Sequence, residues 1–265
     1  MNKPKRTLCI GDIHGSAKGL KQVLERCNWN PETDKIIQLG DVADGWSETS
    51  ECVDILLDIK KRSEHEPVFI RGNHDVWVYD WMMMGLSPII WTTQGGQATL
   101  DSYVRTGKLV DKDHKNFWFT QVDWYIDDEN RVFIHAGWDY KSEPVAHDDL
   151  DKFRKQASYK VNAGTIAREC HWDRSLLKNA AAVSVFKARG VADYNKKVQA
   201  ALNQFKEIYI GHTATKGDVE NFENLWNIDT GSGWRGRLAI MDIDTKEIWY
   251  SDYSTDLYPD ELGRG

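Results

Sequence analysis

Five short apolar runs, each followed at once by a cluster of glycine with aspartate, asparagine or histidine, constrain the fold of this chain more than any other feature. The runs and their clusters are TLCI with GDIHG, KIIQL with GDVADG, PVFI with RGNHD, RVFI with HAGWD, and EIYI with GHTAT. Short runs that are rich in β-branched residues and bounded by glycine are typical of strands. Because helix-like patterns over residues 17–27 and 48–60 separate the first three runs, the sequence predicts an α/β fold with parallel strands. In such folds functional groups gather beyond the carboxyl ends of the strands, where all five clusters lie.

The later part of the chain differs in pattern. Residues 143–205 contain charged, helix-favouring stretches and no strong strand signal, which predicts a mainly helical insertion packed over one side of the site. Further on, RLAIMDID and EIWYSD are separated by Thr245 and Lys246, which predicts an antiparallel hairpin. Because no repeat or flexible linker interrupts the sequence, we expect a single domain over residues 1–265 with the insertion at about 143–205.

Composition restricts the possible partners and the compartment. The net charge of −7 over 265 residues disfavours general binding to nucleic acid, because an acidic surface repels phosphate backbones. No run approaches the roughly 18 apolar residues of a membrane span, and the first apolar run is too short for a signal peptide. The 4 cysteines form no CxxC pair, which predicts buried free thiols in a reducing compartment. We therefore expect a cytoplasmic protein that does not bind membranes.

The side chains in the five clusters have the chemistry of a metal site. The candidate ligands are Asp12, His14, Asp41, Asn73, His135 and His212. Oxygen and imidazole ligands without thiolate suit Mn²⁺, Fe or Zn²⁺, and the share of carboxylates favours Mn²⁺. Clustered carboxylates would repel each other unless a dication were present, although a single cluster alone would also suit a capping aspartate or a core histidine. These ligands are too many for one tetrahedral site, so we expect two ions that share a bridging carboxylate and clamp a phosphoryl group.

The ordered set GDIHG, GDVADG, RGNHD, IHAG and GHT resembles that of the calcineurin-like metallophosphoesterases. It is most similar to the bacterial and phage serine/threonine phosphatase branch, and the similarity continues through IDTGSGWRGRLAIMDIDTKE, so that it covers nearly the whole chain. The resemblance implies an α/β/β/α sandwich with two central mixed β-sheets and a mainly helical insertion. It also implies a hydrolase that uses two divalent metal ions.

The resemblance assigns a role to each motif residue. One ion would be held by Asp12, His14 and Asp41, and the other by Asp41, Asn73, His135 and His212, with Asp41 bridging. The resemblance implies that His74 is the general acid that protonates the leaving group, and that Asp44 orients its ring and keeps it protonated. A histidine with an ordinary pKa near 6.5 needs such a carboxylate to stay cationic beside two dications.

Phosphate binding is where this sequence departs from the family pattern. That pattern is GD-x-VDRG, whose arginine binds the phosphate, and here Gly45 occupies the arginine position. HWDRSLL matches a second family motif, so Arg174 is the main phosphate candidate, with Asn73 and Arg71 as further substrate-binding candidates. For Arg71, a salt bridge that supports the backbone is an equal alternative. One bidentate arginine in place of two would weaken the binding of a phosphomonoester by about 1.5–3 kcal/mol.

Three functions are compatible with these residues. The first is hydrolysis of phosphomonoesters, as in serine/threonine protein phosphatases, by attack of a metal-bridging hydroxide. The alternative is a phosphodiesterase or dinucleoside polyphosphate hydrolase, because a diester carries less charge and nearby tryptophans could stack on a base. Those tryptophans are Trp46, Trp138, Trp172 and Trp234. The third is a catalytically inactive metal-binding interaction protein, which the missing arginine favours and the intact His74–Asp44 pair opposes.

Overall fold

A computed structural model describes residues 3–138, 160–162, 165–167, 169–191 and 194–264. Its strands are β1 Arg6–Ile10, β2 Asp34–Gln38, β3 Val68–Phe69, β4 Trp124–Ile126, β5 Arg131–Ile134, β6 Lys160–Asn162, β7 Thr165–Ala167, β8 Glu207–Ile210, β9 Glu220–Phe222, β10 Leu225–Asn227, β11 Arg237–Asp242 and β12 Ile248–Tyr253. Its helices are Ala17–Arg26, Thr49–Arg62, Asn73–Met84, Ile89–Trp91, Gln97–Thr106, Lys112–Thr120, Glu169–Trp172, Ser175–Ala188, Lys196–Leu202 and Ser254–Leu257, with a π-helical turn at Thr92–Gly96 and a 3₁₀ turn at Lys108–Val110.

Two five-stranded mixed sheets form the centre of the fold. The first has the order β12-β11-β1-β2-β3, in which β1, β2 and β3 are parallel. The second has the order β4-β5-β8-β10-β9, in which β5, β8 and β10 are parallel and the edge strands antiparallel. Each of the five predicted runs forms one of these parallel strands, and the predicted hairpin is formed by β11 and β12. The two-sheet α/β architecture implied by the resemblance is therefore confirmed.

The strands are apolar on both faces because both faces are buried. In β1, Leu8 and Ile10 pack into a core shared with the helices Ala17–Arg26 and Thr49–Arg62, whereas Cys9 points into a second core between the sheets. In the other sheet, Phe133 and Tyr209 stack between the sheets with ring centroids 4.9 Å apart. Alternate residues of a strand point to opposite faces, so this two-residue period produces the layer order helix, sheet, sheet, helix.

The segment predicted as a helical insertion is only partly described. Residues 143–159, with much of the predicted helical stretch, lie outside the described residues. The described remainder contains the helices Ser175–Ala188 and Lys196–Leu202, which cover the outer face of the second sheet. It also contains the short antiparallel pair β6–β7, which the sequence analysis did not predict. In that pair three of six residues are β-branched, a composition that favours strands even in a charged, otherwise helical region.

The cysteines and the helices bear on two further expectations from the sequence. Cys9, Cys27 and Cys52 are buried free thiols, and Cys170 is also buried. In the described ranges, no helix has the length and apolar character that crossing a membrane requires. Cytoplasmic localisation stays a prediction.

Candidate metal centre

The six predicted ligand residues come together where the parallel strands of both sheets end. Four follow strands β1, β2 and β3 of the first sheet, directly or within a short loop, and two follow β5 and β8 of the second sheet. All are buried, with no more than 6% of any residue exposed. The residues are Asp12, His14, Asp41, Asn73, His135 and His212. All six residues thus lie beyond the carboxyl ends of the strands, where the sequence analysis expected functional groups.

Asp41 lies between two histidines, one from each sheet. The Oδ2 atom of Asp41 is 3.6 Å from His14 Nε2, and its Oδ1 atom is 3.4 Å from His135 Nε2. The other ring nitrogens face backbone carbonyls, His14 Nδ1 at 2.9 Å from Ala43 O and His135 Nδ1 at 2.7 Å from Leu39 O. Because Nδ1–H donates to a carbonyl, Nε2 is the nitrogen of each ring that is left to bind a cation, and it lies beside one carboxylate oxygen of Asp41. This arrangement fits a carboxylate shared by two cations.

The remaining candidate ligands complete two groups around Asp41. Asn73 Oδ1 lies 2.8 Å from His212 Nδ1 and 3.2 Å from His135 Nε2. The carboxylate of Asp12 accepts a hydrogen bond from the His212 backbone N–H at 3.0 Å. Potential ligand atoms lie within 4.8 Å of one another in each of two groups, Asp12–His14–Asp41 and Asp41–His135–His212. Oxygen and imidazole donors in two overlapping groups fit two divalent cations.

The backbone at this site is unusual, because four site residues have positive φ. They are His14 (53°), Asp41 (53°), Asp44 (74°) and His212 (68°). Such conformations cost about 1–3 kcal/mol each in non-glycine residues and are concentrated at functional sites. Neighbouring glycines allow the close approach of the carboxylates: a Cβ at Gly72 would lie 2.1 Å from Asp41 Oδ1, and one at Gly211 would lie 2.0 Å from Asp12 Oδ1. Larger residues at these glycines would displace the acids.

Buried negative charge makes the centre suitable for cations. Burial, together with the neighbouring charges of Asp229 and Asp41, raises the pKa of Asp12 well above its usual value. Burial would also raise the pKa of Asp41, but His135 and the other histidines outweigh it and lower that pKa well below its usual value. Burial raises the pKa of Asp229 to about 6. Asp229 was missed in the sequence analysis, although LWNID repeats the pattern of an apolar strand followed by aspartate. A dication would relieve the repulsion among these carboxylates.

His74 and Asp44 form a buried pair beside the candidate metal ligands, as the resemblance implied. His74 Nδ1 lies 2.6 Å from Asp44 Oδ2, and neither residue is exposed. Two further groups hold the carboxylate, Trp91 Nε1–H at 2.8 Å from Oδ2 and the Thr99 hydroxyl at 2.8 Å from Oδ1. Trp91 and Thr99 were not foreseen, because they lie about 50 residues along the chain in a segment without a motif. Asp44 is therefore held by three side chains rather than by His74 alone.

The protonation of this pair follows from its burial. Burial lowers the pKa of His74 to about 3 and raises the pKa of Asp44 to about 8. A neutral carboxyl group that donates to Nδ1 requires the ring proton of His74 to be on Nε2. Among the residues that the structure describes, His74 Nε2 has no hydrogen-bond partner. This nitrogen is thus available to a substrate, and the ring of Trp77 stands edge-on to His74 at 5.0 Å.

The predicted phosphate-binding arginines differ in their placement. The exposed Arg174 donates from Nη2 to the backbone carbonyl of His212 at 3.3 Å, so it lies next to the centre. Arg71 instead donates from Nη2 to the carbonyls of Trp118 at 2.9 Å and Phe119 at 3.3 Å. These contacts correspond to the backbone-supporting alternative for Arg71, with helix carbonyls in place of a salt bridge. They give no support to its selection as a substrate ligand.

The four tryptophans predicted as possible stacking surfaces for a base differ in their exposure. Trp46 and Trp138 are 0% and 1% exposed, so they are core residues and the interpretation of their rings as stacking surfaces is wrong. Trp172 is half-buried and packs edge-to-face on Trp77 at 5.3 Å. Trp234 is 41% exposed. Only Trp172 and Trp234 of the original four, with Trp77 in addition, present surface to a ligand.

Comparison with known proteins agrees with this geometry. Residues 5–163 match the family model of the calcineurin-like phosphoesterases. The symmetrical bis(5'-nucleosyl)-tetraphosphatase of Pasteurella multocida is 22% identical over 96% of this chain and 99% of that relative. Serine/threonine-protein phosphatase 1 of Salmonella typhimurium is 24% identical over 88% of this chain and 90% of that relative. A protein serine/threonine phosphatase structure from Saccharomyces cerevisiae superposes with a TM-score of 0.58 at 12% identity, covering 98% of this chain and 82% of that one.

Proposed function

The chain belongs to the calcineurin-like phosphoesterase family and is a metallophosphoesterase, and from that premise we propose that its substrates are bis(5'-nucleosyl) tetraphosphates. The proposal includes the site: the six buried ligand residues would hold two divalent cations, with Mn²⁺ as the first metal to test. It also reverses the order of preference that the sequence motifs alone suggested, in which phosphomonoesters came first.

The cations would polarise phosphate oxygens and activate water as the nucleophile. The chain's own residues then handle the leaving group. In a symmetrical cleavage, an oxygen of water bonds to an inner phosphorus, the central P–O–P bridge breaks, and a nucleoside diphosphate leaves. His74 Nε2, unpartnered among the described residues, would give its proton to the departing bridge oxygen. Asp44, fixed by Trp91 and Thr99, would hold the ring in the required orientation.

The observation that carries the nucleotide assignment is the aromatic wall beside the centre. Trp77 packs on His74 at 5.0 Å, and Trp172 packs edge-on to His212 at 6.3 Å. Both indole rings are half-buried, which leaves part of each to a ligand. Stacking of one base on an aromatic side chain contributes about 1–3 kcal/mol, and a phosphorylated serine or threonine has no comparable group. The Pasteurella relative, matched over nearly its whole length, supports the same substrate class.

A second candidate is a serine/threonine protein phosphatase. The relative from Salmonella supports it, as do the motif residues shared with that branch. This candidate uses the same cations and the same His74–Asp44 pair, so the two functions differ only in what lies beyond the scissile phosphate.

Competing hydrolysis assays distinguish the two candidates. With Mn²⁺, we expect diadenosine tetraphosphate to be cleaved to two molecules of ADP with a higher kcat/KM than a phosphoserine peptide or nitrophenyl phosphate. Trp172→Ala should raise the KM for the tetraphosphate roughly 5- to 150-fold and leave that for nitrophenyl phosphate unchanged. The matched control is Trp29→Ala. Trp29 is also half-buried, and it follows the helix Ala17–Arg26, which leads away from the centre. Faster turnover of the phosphopeptide would select the protein phosphatase, and no turnover with Mn²⁺, Fe or Zn²⁺ would refute both.

A further inference from the structure

The place beside Gly45, where the family motif carries arginine, is occupied in this protein by the side chain of Arg264. Gly45 has φ of 99°, and a Cβ built on it would lie 3.1 Å from Arg264 Cγ. A Cβ on Gly95 would lie 3.3 Å from the same atom, and one on Gly233 would lie 2.9 Å from Arg264 Cδ. Three glycines from separate segments therefore form a slot for the aliphatic stem of one arginine. We name this feature the glycine slot.

The backbone around Arg264 is held on both sides of the glycine slot. Arg264 N–H donates to the carbonyl of Gly233 at 3.0 Å. Three residues earlier, the Glu261 carboxylate accepts from the Ser47 backbone N–H at 2.9 Å and from its hydroxyl at 2.7 Å. Ser47 is only two residues from Gly45. The segment that carries Arg264 is thus attached to the same turn as the motif, which limits the positions that its guanidinium can take.

The guanidinium lies at the metal centre. Arg264 Nη1 is 3.3 Å from His14 Nε2, which is the ring nitrogen left to bind a cation because His14 Nδ1 faces the carbonyl of Ala43. One face of the guanidinium lies over the exposed Trp234 ring, 4.8 Å from its centroid. Arg264 Nε is buried and has no hydrogen-bond partner within the described part of the chain. Arg264 thus has an unused donor and lies against a predicted metal ligand. This placement suits the binding of an oxyanion better than a purely structural role.

We propose that Arg264 is a phosphate-binding residue that supplies the guanidinium missing from the GDVADGW motif. The inference rests on the proposed phosphoesterase site, but not on the identity of its substrate. A phosphate held by a cation at His14 would lie next to this guanidinium, whose planar fork matches two phosphate oxygens. Arg174 lies against His212, so the two arginines would approach the phosphate from the two halves of the centre.

Binding of inorganic phosphate to the Mn²⁺-loaded full chain, measured by calorimetry, tests this role without turnover. The variant Arg264→Met keeps an unbranched stem in the glycine slot and removes the charge. We expect it to weaken phosphate binding roughly 10- to 150-fold, the range of one charge-assisted pair, and to raise the KM of the best substrate. Arg264→Lys should recover part of the affinity, because it restores the charge without the fork. The control Arg189→Gln removes an exposed arginine just beyond the far end of the helix Ser175–Ala188.

The outcomes separate this inference from the proposed function. Unchanged phosphate affinity in Arg264→Met, with wild-type metal content and melting temperature, would show a structural anchor and overturn the inference, even if the tetraphosphate is cleaved. Absence of phosphate binding by the wild-type protein would overturn it too. If Arg264→Met binds phosphate more weakly while no tetraphosphate is cleaved, the substrate proposal fails and the role of Arg264 stands. If Arg264→Met fails to fold, the comparison uses Arg264→Lys and the control Arg189→Gln. Equal phosphate affinities of these two variants would count against a phosphate-binding role for Arg264. Weaker phosphate binding by Arg264→Lys alone would support that role.

Discussion

Replacement of Asp44 by asparagine is the sharpest test of the His74–Asp44 pair, because the surroundings of the carboxylate can accept an amide. Asp44 Oδ2 lies 2.6 Å from His74 Nδ1 and accepts from Trp91 Nε1–H at 2.8 Å, and an amide oxygen at the same place can accept from both groups. Oδ1 accepts from the Thr99 hydroxyl at 2.8 Å. An amide NH₂ there would donate to Thr99 Oγ1, whose own hydrogen can turn to Thr49 Oγ1 at 3.1 Å. We therefore expect Asp44→Asn to fold and to keep its metal content.

The same geometry predicts a large loss of activity. In the wild type, burial raises the pKa of Asp44 to about 8, so at neutral pH the pair retains the proton that keeps His74 Nε2 protonated. An amide oxygen at this place forces the ring hydrogen onto Nδ1 and leaves Nε2 of the neutral ring bare. The general acid is then absent, which costs about 100- to 10,000-fold in kcat. In the wild type, kcat should fall as pH rises through about 8 or lower, since bound cations favour the deprotonated pair.

The assay compares leaving groups. For Asp44→Asn and His74→Asn, kcat should fall strongly with phenyl phosphate and little with nitrophenyl phosphate, because nitrophenolate departs without a proton. The double variant should be no worse than either single variant, since both remove one proton donor. Elemental analysis and thermal melting of the same samples establish that metal and fold are intact. Losses that multiply in the double variant, or a loss that does not depend on the leaving group, would refute this account of the pair.

Three further predictions concern the cations and the fold. Asp41→Asn should lower the content of both metal ions, whereas Asn73→Ala should lower the content of only one ion. Elemental analysis measures both contents, and equal losses in the two variants would argue against Asp41 as a shared ligand. Chelation should lower the melting temperature by roughly 5–10 °C per ion, as expected for a ligand at about 100 times its Kd, and an unchanged temperature would contradict structural binding. Burial opposes ionisation of Asp34, but Arg6 and the Asn30 N–H outweigh it and lower its pKa. In urea titrations, the wild type should therefore have a higher free energy of unfolding than Asp34→Asn by an amount that is constant above pH ~4. This difference should shrink as the pH falls through the lowered pKa, and a difference that grows in acid would contradict the prediction.

The strands and the clustering of the candidate metal ligands were predictable because their signals are local. In β1, the apolar pattern over Leu8–Ile10 and the Asp12–His14 cluster that follows lie within a few residues of each other. Parallel strands then end at the same edge of a sheet, so clusters that are far apart in sequence meet without further information. The assignment of Asp41 as the shared ligand came instead from the resemblance to the metallophosphoesterases, and both of its oxygens lie beside histidines.

The residues that support the site could not be predicted in this way. Trp91 and Thr99 contact Asp44 only because the chain folds back over the motif after the helix Asn73–Met84. Trp46 stands next to the motif in sequence, yet it is fully buried and stacks on Tyr258 at 5.1 Å. Proximity in sequence to a motif does not determine whether a ring faces ligand or core, because that depends on packing between distant segments.

The missing arginine in GDVADGW has a different meaning once the fold is known. Read along the sequence, Gly45 removes one of two guanidinium groups and disfavours a doubly charged monoester. In the folded chain, Arg264 fills the glycine slot and reaches His14, while Arg174 contacts His212, so one arginine stands beside each half of the centre. The number of arginines then no longer separates monoesters from nucleotides. The choice of substrate depends instead on whether a base stacks on the wall formed by Trp77 and Trp172, which is the contact that the Trp172→Ala comparison measures.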